Sequence, residues 1–480
     1  MTPCDPGALG LDWRAMAERA EAARGGDGAI GARLGALLAL AWPIVVSRST
    51  QVVVGIADAL MVAHLGAPAL AATTAGALNA FTAFILPMGT VFIVSSFASQ
   101  LFGAGDPGGA RRYAWYGLAV AAGTAVLGAA SVLLVPAALA PLPYAEDVRA
   151  LMQDYLVLRL PSAGAVVGLE ALGNYYGGLG NTRRPMFASV AAMLLNVAGN
   201  WLLIDGHLGF PAMGVRGAAL ASTLSSGLAF LGLFAAFVLE GRRVGLGRLS
   251  RRELARLLRF GLPSGFNWFF EFLAFSFFLN VVVAGLGTNA VAAFMAVIQV
   301  NSAAFMPAFA IASAGAILVG QSIGASRKDR VPGTVGLAFA VAGAWQGLVG
   351  LAYLAAPDLI MSAFARDPEG AAVLLETGRR MLLLSVGWQL FDAAATVLAE
   401  ALRAAGDTAF TLWARVVIAW GVFAPGSWIS VRWLGGSDLV AVAWLVAYLA
   451  LLAGVLFLRF RSGAWTRIAL VEPAPLVEAP

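Results

Sequence analysis

Landmarks in the first half of this chain return in the second half, in the same order and orientation, 221 residues later. The stretch QLFGAG at Gln100–Gly105 reappears as QSIGAS at Gln321–Ser326, and HLGAPALAA at His64–Ala72 as GLGTNAVAA at Gly285–Ala293. Farther on, GLGNT ending at Thr182 is answered by AAGDT ending at Thr408, so the second copy has gained about five residues in between. A duplicated chain must fold as two equivalent halves. What those halves are made of follows from composition.

Of the 480 residues, 60% are hydrophobic and 12% charged, and the mean hydropathy is +0.82. Soluble domains carry about 25% charged residues, so the chain belongs in a bilayer. Crossing the hydrocarbon core takes about 20 apolar residues, and such stretches can be read at 37–63, 69–99, 114–135, 155–178, 185–204, 214–239, 260–284, 290–320, 333–355, 380–403, 409–431 and 438–459. That gives twelve expected spans, six per copy, with internal charge in the fourth and tenth. An even number per copy makes the two copies parallel. The expected fold class is therefore all-α integral membrane, with about twelve transmembrane helices in two parallel six-helix bundles. The expected division is a tail at 1–34, a first lobe at 35–240, a basic linker at 241–259, a second lobe at 260–461 and a second tail at 462–480.

Basic loops stay on the cytoplasmic side. The connection after the sixth span carries Arg242, Arg243, Arg248, Arg251, Arg252, Arg256 and Arg259, and same-side loops hold Arg111, Arg112, Arg183, Arg184, Arg327, Lys328 and Arg330. This places both termini in the cytoplasm and the protein in the plasma (inner) membrane. A pI near 9.7 then reports topology, and no nucleic-acid partner is implied. Cys4 is the only cysteine, which leaves no disulfide framework or thiolate metal cluster. The polar start lacks the short apolar core of a cleavable signal peptide. No GxxxxGK[ST] phosphate loop is present, so work done by this chain would draw on an ion gradient or a partner. The two histidines, His64 and His207, fall at outer ends of spans.

Chemistry inside the membrane should rest on its acids, because an ionised side chain at mid-bilayer costs roughly 2.5–3.5 kcal/mol even on the lenient insertion scale. Asp58 lies in the first span, Glu170 in the fourth, Glu271 in the seventh, and Asp392 and Glu400 in the tenth. Glu271 and Asp392 are each near mid-depth and could face each other. Carboxylates sharing a site titrate as a coupled set, which suits capture and release of a proton or a sodium ion; sodium is possible at Glu271 and Asp392. The structural alternative for each acid is polar glue between helices. Phe266, Phe269, Phe270, Met295, Phe305 and Met306 are candidates for a cavity that takes a greasy cation by burial and cation–π contact. Pro43, Pro87, Pro161, Pro263 and Pro307 remove backbone bonds within spans and mark kinks.

Taken together, Pro43, GIADALMVAHLG at Gly55–Gly66, GLGNTRRPM at Gly178–Met186, LLNVAGNWLLIDGHLGFPAMGVRGAALAST at Leu194–Thr223, FGLPSGFNWFFEFLAFSF at Phe260–Phe277 and WQLFDAAATVLAEALRAAGDT at Trp388–Thr408 resemble the multidrug and toxic compound extrusion (MATE) transporters, NorM-type branch. The resemblance covers nearly the whole chain. It implies a V-shaped pair of bundles, no cofactor, and a secondary active antiporter exporting cationic amphipathic compounds in exchange for sodium or protons. It also implies that Asp58, Glu271 and Asp392 are the coupling carboxylates, that Asn196 and Asn200 belong to a polar cluster of the first lobe, and that Pro43 is a hinge. A monomer in contact with membrane lipid is expected. Two departures stand out. Phe294 and Met295 occupy the place of a His-Gln pair in many relatives, and Asn200 stands where some carry a second aspartate, which leaves Asp58 the one acid of that cluster. The competing readings are a lipid-linked oligosaccharide flippase of the same wider superfamily, which calls for a basic cavity, and a non-transport membrane scaffold.

Overall fold

The computed structural model describes residues 30–241, 248–364 and 371–471. The expectations for residues 1–29, including Cys4, for Arg242 and Arg243 and for 472–480 fall outside the described residues. Every helix long and apolar enough to span a bilayer coincides with a span expected from sequence. They are α1 (Ile30–Leu65), α2 (Ala67–Gly103), α3 (Pro107–Leu139), α4 (Glu146–Gly178), α5 (Arg183–Ile204), α6 (Val215–Gly241), α7 (Arg251–Leu286), α8 (Thr288–Gly324), α9 (Lys328–Ala355), α10 (Ala372–Ala405), α11 (Thr408–Arg432) and α12 (Asp438–Arg461). No strand occurs among the described residues. Helices prevail because each residue's backbone polar groups are satisfied within its own segment, which hydrocarbon demands.

The duplication is written into the backbone. Helices α2 and α8 start and stop at positions 221 residues apart, and each is preceded by a glycine that only a residue without Cβ adopts easily. Gly66 has φ 105° and ψ 168°, and Gly287 has φ 101° and ψ 169°. Past the ends of these helices, Gly105 at φ 78° is matched by Ser326 at φ 60°.

The chain divides into two compact units. The first holds the described residues up to Ala98 together with Pro107–Phe269, and the second holds Ser99–Asp106 together with the described residues from Phe270. The last turn of α2 thus packs within the second unit, where it crosses the last turn of α8. There Gln100 Nε2 donates to the carbonyl oxygen of Ala404 at 2.7 Å. The crossing is close and reciprocal. A methyl carbon added at Gly103 would overlap the carbonyl oxygen of Gln321, and one added at Gly324 would overlap that of Gln100.

Several spans are not uniform. Helix α4 is interrupted by a 3-10 turn at Leu160–Ser162, where Pro161 sits. Helices α7 and α11 each contain a π-helical stretch, Phe278–Val283 and Val417–Phe423; Pro425 follows the second, and π turns insert an extra residue into the ladder. Pro43, Pro87, Pro263 and Pro307 lie inside helices. In the expected linker, 248–250 are irregular and helix α7 begins at Arg251.

Candidate functional site

In the first unit Asp58 projects from α1 into a set of amides and hydroxyls supplied by α5 and α6. Asn200 Nδ2 donates to Asp58 Oδ1 at 2.5 Å and to Asn196 Oδ1 at 3.4 Å, and Ser222 Oγ donates to Asp58 Oδ2 at 3.4 Å. Asn196 Nδ2 donates to Ser222 Oγ at 3.0 Å. Asn196 and Asn200 are buried, and their spacing of four places both amides on one face of α5. Asn200 Oδ1 is buried with no hydrogen-bond partner. The structure thus brings Asp58, Asn196 and Asn200 together.

Three members of this neighbourhood were not singled out in the sequence. Ser222 is one. Arg159, at the end of the first half of α4, donates to the carbonyl oxygen of Ser222 at 3.3 Å and to Ser162 Oγ at 2.5 Å, with its charge in electrostatic range of Asp58. Tyr155 is the third. Gln51, Asp58, Tyr155, Arg159, Asn196 and Ser222, together with the hydroxyl residues Thr50, Ser189, Ser225 and Ser226, line a cavity of about 330 Å³ whose remaining wall is apolar. The signal for Arg159 was an arginine next to Pro161 in an apolar span; nothing in the sequence told Ser222 from other small polar residues.

Glu170 has a different situation. It forms an ion pair with Arg48 of α1 at 2.8 Å, the two side chains 14% and 16% exposed, and accepts from Asn174 Nδ2 at 3.1 Å. Glu400 is paired within its own helix to Arg403 at 2.5 Å. At one end of the first unit His64 Nε2 meets Asp205 Oδ1 at 2.7 Å, and the His207 ring stacks on Trp201 at 4.4 Å.

In the second unit Glu271 of α7 is ion-paired with Arg415 of α11. Arg415 is almost fully buried, whereas 48% of the Glu271 side chain is exposed. Asp392 of α10 is half-buried, accepts from Gln346 Nε2 of α9 at 3.4 Å, and lies within electrostatic range of both Glu271 and Arg415. Gln346 Oε1 is buried and without a partner. Arg415, the centre of this arrangement, was missed in the sequence, where it sat unremarked in the eleventh apolar stretch.

The candidate substrate residues fall in both units. Phe269 lines an apolar cavity of about 670 Å³ in the first unit, together with Phe84, Pro87, Leu254, Leu258 and Leu262. Phe266 and Met295 are exposed. Phe270, Phe305 and Met306 are half-buried, with the Phe305 ring 5.7 Å from that of Phe309. Phe294 is fully buried, its ring 5.5 Å from that of Phe278.

The sequence profile of the MatE family matches residues 43–202 and 263–429, one segment in each copy of the repeat. The chain is 30% identical over 455 residues to a probable multidrug resistance protein NorM of Geobacillus kaustophilus, covering 90% of this chain and 95% of that protein. It is 29% identical over 427 residues to the NorM of Pseudomonas putida, covering 86% and 91%. Among solved structures, an outward-facing multidrug resistance MATE family transporter of the MOP superfamily superposes with a TM-score of 0.80 at 21% identity, over 93% of this chain and 98% of that one. A MOP superfamily transporter from Pyrococcus furiosus, described as having a binding pocket of reverse polarity, gives 0.79 at 20% identity, over 91% and 97%. A twelve-span helical fold, a duplicated sequence and a family match in both halves lead to one assignment: the chain is an integral membrane protein of the MatE family of multidrug efflux transporters.

Proposed function

We propose that this chain is a secondary active exporter that moves cationic amphipathic compounds out of the cell, exchanging them for inward sodium or protons by alternating access of its two halves. The observation that carries the reading is Asp58, an acid inside a span, solvated by Asn200 and Ser222 at the wall of a cavity. Such a group gains and loses a positive ion with its hydrogen-bond partners already in place. Glu271 and Asp392 provide a second acid site, and the whole operates from the inner membrane with both termini in the cytoplasm. One monovalent cation entering down about 150 mV releases roughly 3.5 kcal/mol, enough for a few-hundred-fold gradient of a neutral substrate under one-for-one exchange.

The charged lining of the Asp58 cavity consists of one acid and one base, Asp58 and Arg159. A flippase for pyrophosphate-linked sugars calls for several basic residues there, so the drug and cation reading is favoured. The test is uptake of fluorescent cationic dyes into everted vesicles or proteoliposomes under imposed sodium or proton gradients. Gradient-dependent accumulation is expected; no accumulation under either gradient overturns the proposal.

A further inference from the structure

Glu271, Asp392 and the unpartnered Gln346 Oε1 are an oxygen-rich set of the kind that hard monovalent and divalent cations take. A cation is already paired with one of them. The guanidinium of Arg415 is ion-paired with Glu271 and in electrostatic range of Asp392. It arrives on α11 just ahead of the π-helical stretch at Val417–Phe423, and its side chain is 11% exposed, so water does little to screen it. Guanidinium groups stay protonated at any pH a cell reaches; no change of pH clears this one away. One of the two carboxylates, Glu271, is engaged by this planar, permanently charged donor group.

We propose that Arg415 is a built-in counter-cation that occupies the acid cluster of the second unit and closes it to sodium. A sodium ion would have to share Glu271 with the guanidinium or displace it, and the tether to α11 keeps the displaced group close by. Residues that lack a charge at this position would open the cluster, because Glu271, Asp392 and Gln346 would then offer their oxygens to a mobile ion. The inference rests on the exporter reading only for its consequence, namely that sodium coupling at this cluster is ruled out; the binding claim stands on geometry.

The experiment is isothermal titration of sodium chloride into purified full-length protein in a choline buffer. An Asp58→Asn background is used throughout, so that the first unit does not contribute. Arg415→Gln is expected to bind sodium at least about tenfold more tightly than the parent, Arg415→Lys to behave as the parent, and Glu271→Gln/Arg415→Gln to lose the gain. Parent binding as tight as that of Arg415→Gln, or an equal gain in Arg415→Lys, overturns the proposal. Should Arg415→Gln not fold, sodium binding by the parent that Asp392→Asn abolishes would overturn it equally, and absence of such binding supports it. Failure of dye transport would sink the exporter reading while leaving these titrations unaffected.

Discussion

Replacing Gly324 by alanine tests the close crossing of the two repeats. The added methyl would overlap the carbonyl oxygen of Gln100, a backbone atom that cannot swing aside as a side-chain tip can. Restoring an ordinary carbon–oxygen contact requires the two helix ends to separate by about 1.4 Å, and overpacking of this kind costs roughly 1–3 kcal/mol. Alanine should itself favour a helix over glycine by about 0.5–1 kcal/mol, so an unobstructed glycine is the proper control. Gly347 in α9 has nothing within 4 Å of where its Cβ would be. Thermal unfolding of purified protein, followed by tryptophan fluorescence, should therefore show Gly324→Ala with a lower midpoint than the parent and Gly347→Ala with an equal or higher one. Gly103→Ala should resemble Gly324→Ala, since Gly103 meets Gln321 in the reciprocal way. Equal midpoints for Gly324→Ala and Gly347→Ala would refute the claim that the crossing depends on the missing side chain.

Three further outcomes are expected. Asp58→Asn should slow dye transport and flatten its pH dependence, read by transport rates in proteoliposomes across a pH series; an unchanged profile would assign Asp58 a structural role. Asn200→Asp places a second carboxylate against Asp58, at a position now held by a hydrogen bond of 2.5 Å, and should make transport more sensitive to pH than the parent in the same assay. Glu170→Gln leaves the mostly buried Arg48 without its carboxylate and should destabilise by about 2–4 kcal/mol, whereas Arg48→Met/Glu170→Gln should recover most of the loss; a double variant no more stable than the single one would show that the ion pair is not the reason.

What was legible in the sequence was whatever depends on runs of neighbours. Twelve apolar stretches located every span, because the length of apolar sequence needed is set by bilayer thickness and not by partners, while several helices, such as Glu146–Gly178 and Arg251–Leu286, begin up to nine residues before the apolar stretch does. The repeat gave equivalent positions, and Gly66 and Gly287 share backbone angles as they share a motif. The acids were visible too, since a carboxylate in an apolar run is costly wherever it points. Their partners were not. Ser222 meets Asp58 across 164 positions and Arg415 meets Glu271 across 144, and which face of a helix turns inward depends on its neighbours and on local changes of pitch such as the π turns of α7 and α11. The same blindness affected the aromatic candidates, since a phenylalanine on an apolar helix carries no mark of what it faces. The family resemblance narrowed this gap for Asn196 and Asn200 and was silent on Arg159 and Arg415.

The distances along the chain between these partners set an order of events during synthesis. Arg48 and Asp58 enter the membrane on α1, yet Glu170 follows Arg48 by 122 residues and Asn200 follows Asp58 by 142. Glu271 on α7 waits 144 residues for Arg415. At about 5–20 residues per second each delay lasts roughly 6–29 s, far longer than a helix needs to form. During that interval a nascent α1 holds two charges ten positions apart, too distant to satisfy each other on one helix. Release of the first span into lipid before α4 and α5 arrive would carry the cost of both charges, which favours its retention beside the insertion machinery or in contact with water until then. A ribosome-bound chain truncated before Glu170 should be captured by membrane quality control, and one truncated after Ser222 should escape it.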